Sequence, residues 1–387
     1  MTAQIDDLSR DVYCLLGIPV DAIGMREAVD RIEWAIQTRS PFLISTPNIN
    51  FIVNAARDTS FKEAVAFSDL CLPDGMWLVR LGRLLGIPIK DRVSGADILE
   101  TAKLRRTEEN PLNVYFFGGP EGAGERASEA INARKDGLHC AGSANPGFVS
   151  IEKMSADDLL SAVHSSQADF LSVALGAKKG QLWLYQNHKR LTIPVRAHLG
   201  ASINFYAGSV RRAPRVLQRW GLEWAWRIKE EPLLWRRYAY DGMLIGLMFF
   251  YRVAPLLLWS ICLRLQSLFD GEHLSITQMA NRSQRVVALS GSLTSKNIDA
   301  IASALRSAIL AGEDVAVDLS GARAVDARFA GLLLMLQKTM GQRGRRLYLD
   351  GAPPFIRWLL GLYGFPIPDR APELKPAPAS SAGVAAE

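Results

Sequence analysis

Residues 41–56, PFLISTPNINFIVNAA, read as a strand running into a helix. Phe42–Ser45 is an apolar run of strand length. Thr46-Pro47-Asn48 closes it, and a Thr or Asn at such a junction caps the helix that follows. Capping alone accounts for those residue types. A strand end facing a helix start is also where α/β enzymes hold their ligands.

The same unit recurs on both sides. Upstream, VYCLLGIPVDAIGM (12–25) is a short strand and turn. It leads into MREAVDRIEWAIQ, with Ala28, Ile32, Ala35 and Ile36 at helical spacing. Downstream, a helix precedes the short strand Leu70 to Leu72, then Pro73-Asp74-Gly75. That tripeptide is good turn chemistry by itself. A carboxylate held on a tight turn between strand and helix is also a candidate general base. Arg92 stands just before a helix capped near Ser94 or Asp97. NVYFFGGPEGAGERASEAI is a buried strand, then Gly118-Gly119-Pro120, then a helix. Gly-rich turns of that kind let phosphate approach backbone N–H groups. The spacing is not that of a dinucleotide fingerprint. ADFLSVALGAKKGQLWLYQNH adds a strand, a loop over 176–180 and a helix, and IPVRAHLGASINFYAGS a last strand. Strands alternating with helices predict a parallel, helix-covered sheet running to about Tyr206, with its ligand face at the C-terminal strand ends.

The chain has 387 residues, 49% hydrophobic and 22% charged, enough for two or three folded domains. A net charge of +6 biases it toward anionic partners. Its four cysteines, Cys14, Cys71, Cys140 and Cys262, form no C-x-x-C pair, which argues against a zinc or disulfide framework and fits a reducing cytoplasm. The start, MTAQIDDLSRDVYCLL, lacks the basic and apolar runs of a signal peptide.

Residues 208–238, GSVRRAPRVLQRWGLEWAWRIKEEPLLWRRY, carry eight Lys or Arg and four Trp. Arginine forks fit phosphate oxygens, and Trp favours a boundary between apolar and wet surroundings. On residue counts alone a solvated basic helix explains the stretch as well. Interleaved acids and the apolar run after it suit phosphate at a membrane better than a polynucleotide, so no nucleic-acid partner is expected. That run, residues 243–263, contains Arg252 and Pro255. Three placements are open, in order of preference: an interfacial or re-entrant helix, a full span, and a buried helix. A polar stretch at 270–283 reads as a linker. After it, strands and helices alternate again through FIRWLLGLYGF.

The ordered set Thr46-Pro47-Asn48, Pro73-Asp74-Gly75, Asp91-Arg92-Val93, Gly118-Gly119 and RAP…GLEW…R…EP (212–232) resembles the WecG/TagA/CpsF family of bacterial glycosyltransferases. The resemblance covers about 12–238. It implies an inverting, metal-independent transfer, with no cofactor, from a UDP-sugar (an N-acetylmannosamine-like sugar or a hexose) to a polyprenyl-diphosphate-linked saccharide. It places the protein on the cytoplasmic face of the bacterial inner membrane, peripheral or monotopic. It gives Asp74 the role of general base and puts Thr46, Asn48, Arg92, Gly118, Gly119, Lys179, Gln181, Arg212, Arg227 and Arg237 at the substrates. Two positions depart from the pattern. Gly180 and Gln181 replace a Gln-Glu pair, and Leu234 falls where an Arg is expected. They motivate an alternative, a non-catalytic sugar-nucleotide or lipid-binding scaffold.

VAVDLSGARAVDARFAGLLLMLQKTMGQRGRRLYLDG resembles a STAS domain. Arg328 occupies the place of the phosphoacceptor Ser in regulatory members, so the resemblance implies a docking or ligand-sensing module for a possible protein partner, without a phosphorylation switch. The expected fold is α/β: a Rossmann-like parallel-sheet core, a helical appendage, an apolar membrane-associating segment and a small second α/β domain. The expected boundaries are 1–207 for the core, 208–240 for the appendage, 241–269 for the apolar segment, 270–283 for the linker, 284–368 for the STAS-like domain and 369–387 for a disordered tail.

Overall fold

The computed structural model describes residues 6–200, 202–269, 273–281 and 284–365. The chain opens with an antiparallel hairpin of β1 (Val12–Leu15) and β2 (Ile18–Asp21). Six strands then form one parallel sheet: β3 (Phe42–Ser45), β4 (Leu70–Cys71), β5 (Leu112–Gly118), β6 (Leu138–Ala144), β7 (Phe170–Ala174) and β8 (Val195–His198), in the order β4-β3-β8-β7-β5-β6. Helices cover both faces, which is why β3 and β7 are largely apolar runs rather than alternating ones. On one face Ile32, Ile98 and Ile131 pack on the strands. On the other, Trp183 is fully buried and stacks on Phe117 with ring centroids 4.3 Å apart.

The chain steps outward from β3 to β4 on one side and from β5 to β6 on the other. Loops leaving the C-terminal ends of β3, β5, β7 and β8 therefore open around a crevice, as in other doubly wound sheets. Short helices Arg215–Trp220 and Glu223–Glu230 border it. A long helix follows, Leu234–Met248, continued through a π turn at Phe249–Val253 into Ala254–Phe269. Pro255 explains the π turn: it lacks an N–H and crowds the carbonyl of Tyr251 one turn back. Leu234–Leu265 is long and apolar enough to cross a membrane. One side of its middle is nevertheless covered by protein. Val253, Leu256 and Trp259 are buried, and the Trp259 indole donates to Val325 O at 2.8 Å.

The cover is the second domain. β10 (Gln284–Leu293), β11 (Asp314–Asp318), β12 (Ala322–Val325) and β13 (Leu347–Asp350) form a parallel sheet in the order β12-β10-β11-β13. The expected linker is corrected here: residues Leu274–Asn281 are a strand, β9, paired antiparallel along β10. Leu274 and Ile276 pack on the core while Thr277 and Met279 face outward, so its polar content marks an edge strand's solvent face. The expected tail, 369–387, lies outside the described residues, as do 270–272, 282–283 and 366–368 of the neighbouring segments.

The two domains share one hydrophobic core. Helix Ala327–Gln342 lies across β1 so closely that a Cβ on Gly331 would sit 2.2 Å from Val12 O. Leu15 and Val20 of the hairpin join Phe329, Leu332 and Leu333 in a single apolar cluster.

Candidate functional site

A cavity of about 1260 Å³ occupies the crevice, larger than a typical small-ligand pocket. Asp74 stands on its wall. The Pro73-Asp74-Gly75 turn is held by backbone bonds: Asp74 N–H donates to Pro47 O at 2.8 Å, and Pro73 O accepts from Val93 N–H at 2.9 Å. Gly75 has φ +105°, a conformation that favours glycine, and turns the chain directly into helix Met76–Leu84. Burial pushes the Asp74 carboxyl up to about 6; Arg92 and Arg227 oppose the rise, Glu223 and Asp97 add to it. A carboxyl titrating there exists as base and acid near neutral pH.

An ion-pair cluster borders Asp74. Arg92 donates to Glu223, reaches Gln218 Oε1 at 3.3 Å and pairs with Asp97 at 3.5 Å. Arg212 pairs with Asp97 and reaches Ser94 Oγ at 3.5 Å. Arg227 and Arg237 line the cavity from the appendage and the long helix, together with Arg211, Trp224 and Trp235. Leu234, where the family resemblance expected an arginine, also lines it. The far wall is apolar, made by Leu81, Leu84, Ile245 and Phe249.

Thr46 and Asn48 line the cavity while holding backbone. Thr46 Oγ1 donates to His198 O at 3.3 Å, and Asn48 Oδ1 accepts from the N–H groups of Asn50 and Phe51 at 3.0 and 3.4 Å. Gly119 lines the cavity; Gly118 packs beneath it, where a Cβ would meet Leu175. Lys179 and Gln181 do not reach the cavity. They sit on helix Ala177–Asn187, whose first turn presents Gly176 and Ala177 instead. Lys179 Nζ donates to Val149 O at 3.0 Å, and Gln181 is buried with its amide on Ala64 O and Ser68 Oγ. Helical phase puts Lys179 on the opposite side from Ala177, whereas Gln181 shares the face of Ala177 one turn further on, where the helix packs on Ala64 and Ser68 instead of the cavity. Gly180 has its own reason: a Cβ there would lie 2.3 Å from the His198 ring.

Two cavity residues escaped the sequence reading. His198 ends β8; burial lowers its pKa, and Nε2 lies 2.6 Å from Leu175 O. Asp241 is the single acid in residues 232–269, which was a usable signal. It accepts from Asn50 Nδ2 at 2.9 Å and ties the long helix to the helix after β3. Among the described residues, no group of three or more His, Cys, Asp or Glu is placed to hold a metal.

Residues 13–257 match the family described as glycosyl transferase WecG/TagA/CpsF, and residues 276–366 match a STAS domain described as Mlab. An N-acetylglucosaminyldiphosphoundecaprenol N-acetyl-beta-D-mannosaminyltransferase from Bacillus spizizenii is 27% identical over 202 residues, covering 52% of this chain and 76% of the relative. Enzymes of the same name from Staphylococcus aureus are 23% identical over 228 residues (strain MRSA252; 58% and 84% covered) and 22% over 256 (strain MW2; 65% and 93%).

Proposed function

The chain belongs to the WecG/TagA/CpsF family of glycosyl transferases, and we propose that it moves a sugar from a UDP-sugar to a polyprenyl-diphosphate-linked saccharide, with inversion, in bacterial surface polysaccharide synthesis. The observation that carries this reading is Asp74, fixed on a strand-to-helix turn at the wall of a cavity that is cationic beside it and apolar beyond it. The relatives' names describe transfer to N-acetylglucosaminyldiphosphoundecaprenol. Such an acceptor has a hydroxyl, a diphosphate and a lipid, and the cavity offers a matching surface to each.

In this reading Asp74 takes the proton of the acceptor hydroxyl as its oxygen bonds to the anomeric carbon. The bond from that carbon to the diphosphate breaks, and UDP departs with the electron pair. Arg227 and Arg237 stabilise the leaving diphosphate, because their forks match its oxygens. Arg92 and Arg212 exchange their carboxylate partners for substrate phosphate. Thr46 and Asn48 shape the pocket, and Gly119 admits a phosphate close to backbone. Leu81, Leu84, Ile245 and Phe249 receive the first lipid units of the acceptor.

A bilayer surface is the natural partner of the exposed Trp220, Leu233, Trp235, Phe250, Tyr251 and Leu258. The interfacial placement is the one we adopt. One side of the helix middle, Val253, Leu256 and Trp259, packs on the second domain, which is itself packed on the first, and this supports a helix lying along the surface with its other side toward lipid. Both domains then lie on one side of the membrane, which we assign to the cytoplasmic face.

The test is UDP release from a panel of UDP-sugars with polyprenyl-diphosphate-N-acetylglucosamine in lipid vesicles. One donor is expected to support turnover in the wild type, with Asp74→Asn as the control. Binding without turnover across the panel would refute the donor and acceptor assignment.

A further inference from the structure

Beneath the strand that leads into the Asp74 turn lies a second charge cluster, and one of its members comes from the other domain. Arg10 pairs with Asp7 at 2.7 Å and with Asp21 at 2.8 Å. Lys338, on helix Ala327–Gln342, pairs with Asp7 at 3.0 Å and Asp69 at 2.8 Å, and donates to Ser68 O at 3.3 Å. The Arg10 and Lys338 side chains are each 1% exposed. The carboxylates are also bolted to the sheet. Asp69 Oδ2 accepts from Leu43 N–H of β3 at 2.8 Å, and Asp21 Oδ2 accepts from Cys71 N–H of β4 at 2.7 Å. Cys71 precedes Asp74 by three residues.

The charge count does not close within the first domain. Asp7, Asp21 and Asp69 are three acids in one buried cluster. The first domain sets Arg10 among them and Arg31 at its edge, 3.9 Å from Asp21 and a quarter exposed. Nearby Arg196 is committed to the carbonyls of His188, Leu191 and Ile193. Asp7 and Asp69 share Lys338, and without it Asp69 has no cation in salt-bridge contact among the described residues. A buried charge that loses its partner is strongly destabilising. A second grip stands beside this one. Arg328 donates to Val12 O at 3.0 Å and Arg10 O at 2.8 Å, and pairs with Asp11 at 3.1 Å.

We propose that the second domain is a structural subunit of the transferase, in which Lys338 supplies the cation that the floor of β4 lacks and thereby positions the Asp74 turn. The partner of this face of the second domain is the chain's own catalytic domain. Lys338 is a positioning residue, acting through Ser68 and Asp69, which lead directly into β4. The catalytic half of this inference rests on Asp74 being the base; the structural half does not.

The experiment compares full-length wild type, Lys338→Met, Lys338→Arg and the double variant Asp69→Asn/Lys338→Met. Three quantities are read: thermal midpoint, hydrogen exchange at the amides of residues 70–74, and the kcat and KM of sugar transfer. Lys338→Met is expected to lower the midpoint by about 5–10 °C. It should also speed exchange at 70–74 and lower kcat about tenfold with little change in KM. Lys338→Arg should restore most of each. The double variant, with both charges gone, should fold better than the single one, including the case where Lys338→Met does not fold at all. Wild-type midpoint and exchange in Lys338→Met would overturn the proposal, as would a double variant no more stable than the single. Faster exchange with unchanged kcat would leave a brace without positioning and overturn the catalytic half. If the wild type shows no transfer, the function reading fails, and the midpoint and exchange still decide the structural half.

Discussion

At the cavity wall, Arg92 and Arg212 pair with Asp97 and Glu223; at the domain interface, Arg10 and Lys338 pair with Asp7, Asp21 and Asp69. The residue types are nearly the same, and the difference is access to water. Asp97 and Glu223 are each 32% exposed and Arg212 37%, around an Arg92 at 10%, whereas Asp21 is fully buried, Arg10 and Lys338 nearly so, and Asp69 is 17% exposed. Partly exposed pairs contribute less to stability and can change partners when an anion arrives. Buried pairs cannot, because an unpaired charge there has no solvent to fall back on. The wall cluster therefore has the properties of a site and the interface cluster those of a brace.

Breaking each in turn separates the two. The largest effect on catalysis should come from Asp74→Asn, which we expect to lower kcat by about 10³-fold while leaving the fold intact, read by UDP release. Next is Arg227→Ala, with kcat/KM expected to fall about 10–100-fold and the thermal midpoint to stay within a degree or two, since the residue lines the open cavity. A smaller effect runs the opposite way. The folded pKa of Asp74 is raised from 3.8 to about 6, so its protonated form is favoured in the fold. The stability it contributes is complete below pH 3.8 and is lost as pH rises through about 6. Asp74→Asn removes that loss. Urea unfolding should find the variant about 1–2 kcal/mol more stable than wild type at pH 8 and indistinguishable at pH 4. The smallest effect belongs to Arg212→Gln, expected to change stability by under about 1 kcal/mol while raising KM for the donor.

Much of the core was legible because its signals are local. Each strand-to-helix junction prints an apolar run, a turn and a cap within about fifteen residues, and the Asp74 turn is one of these. What escaped depends on phase or distance. Lys179 and Gln181 lie next to a cavity-lining turn in sequence, yet at about 100° per residue Lys179 points to the opposite side from Ala177, and Gln181 sits a full turn beyond it, buried on Ala64 and Ser68. Strand β9 looked like a linker because only Leu274 and Ile276 of its eight residues face the core. Lys338 meets Asp7 across 331 positions of chain, and a contact of that range leaves no period to read. Arg328 was visible as an oddity at a helix start; its meaning required the neighbouring β1 backbone.

The central claim is that Asp74 deprotonates the acceptor. Its most direct test is the pH dependence of kcat/KM for sugar transfer by the full-length protein. The wild type should lose activity as pH falls, with an acidic limb near pH 6, and the residual activity of Asp74→Asn should lack that limb. A wild-type rate in Asp74→Asn, or the same limb persisting in it, would contradict the account.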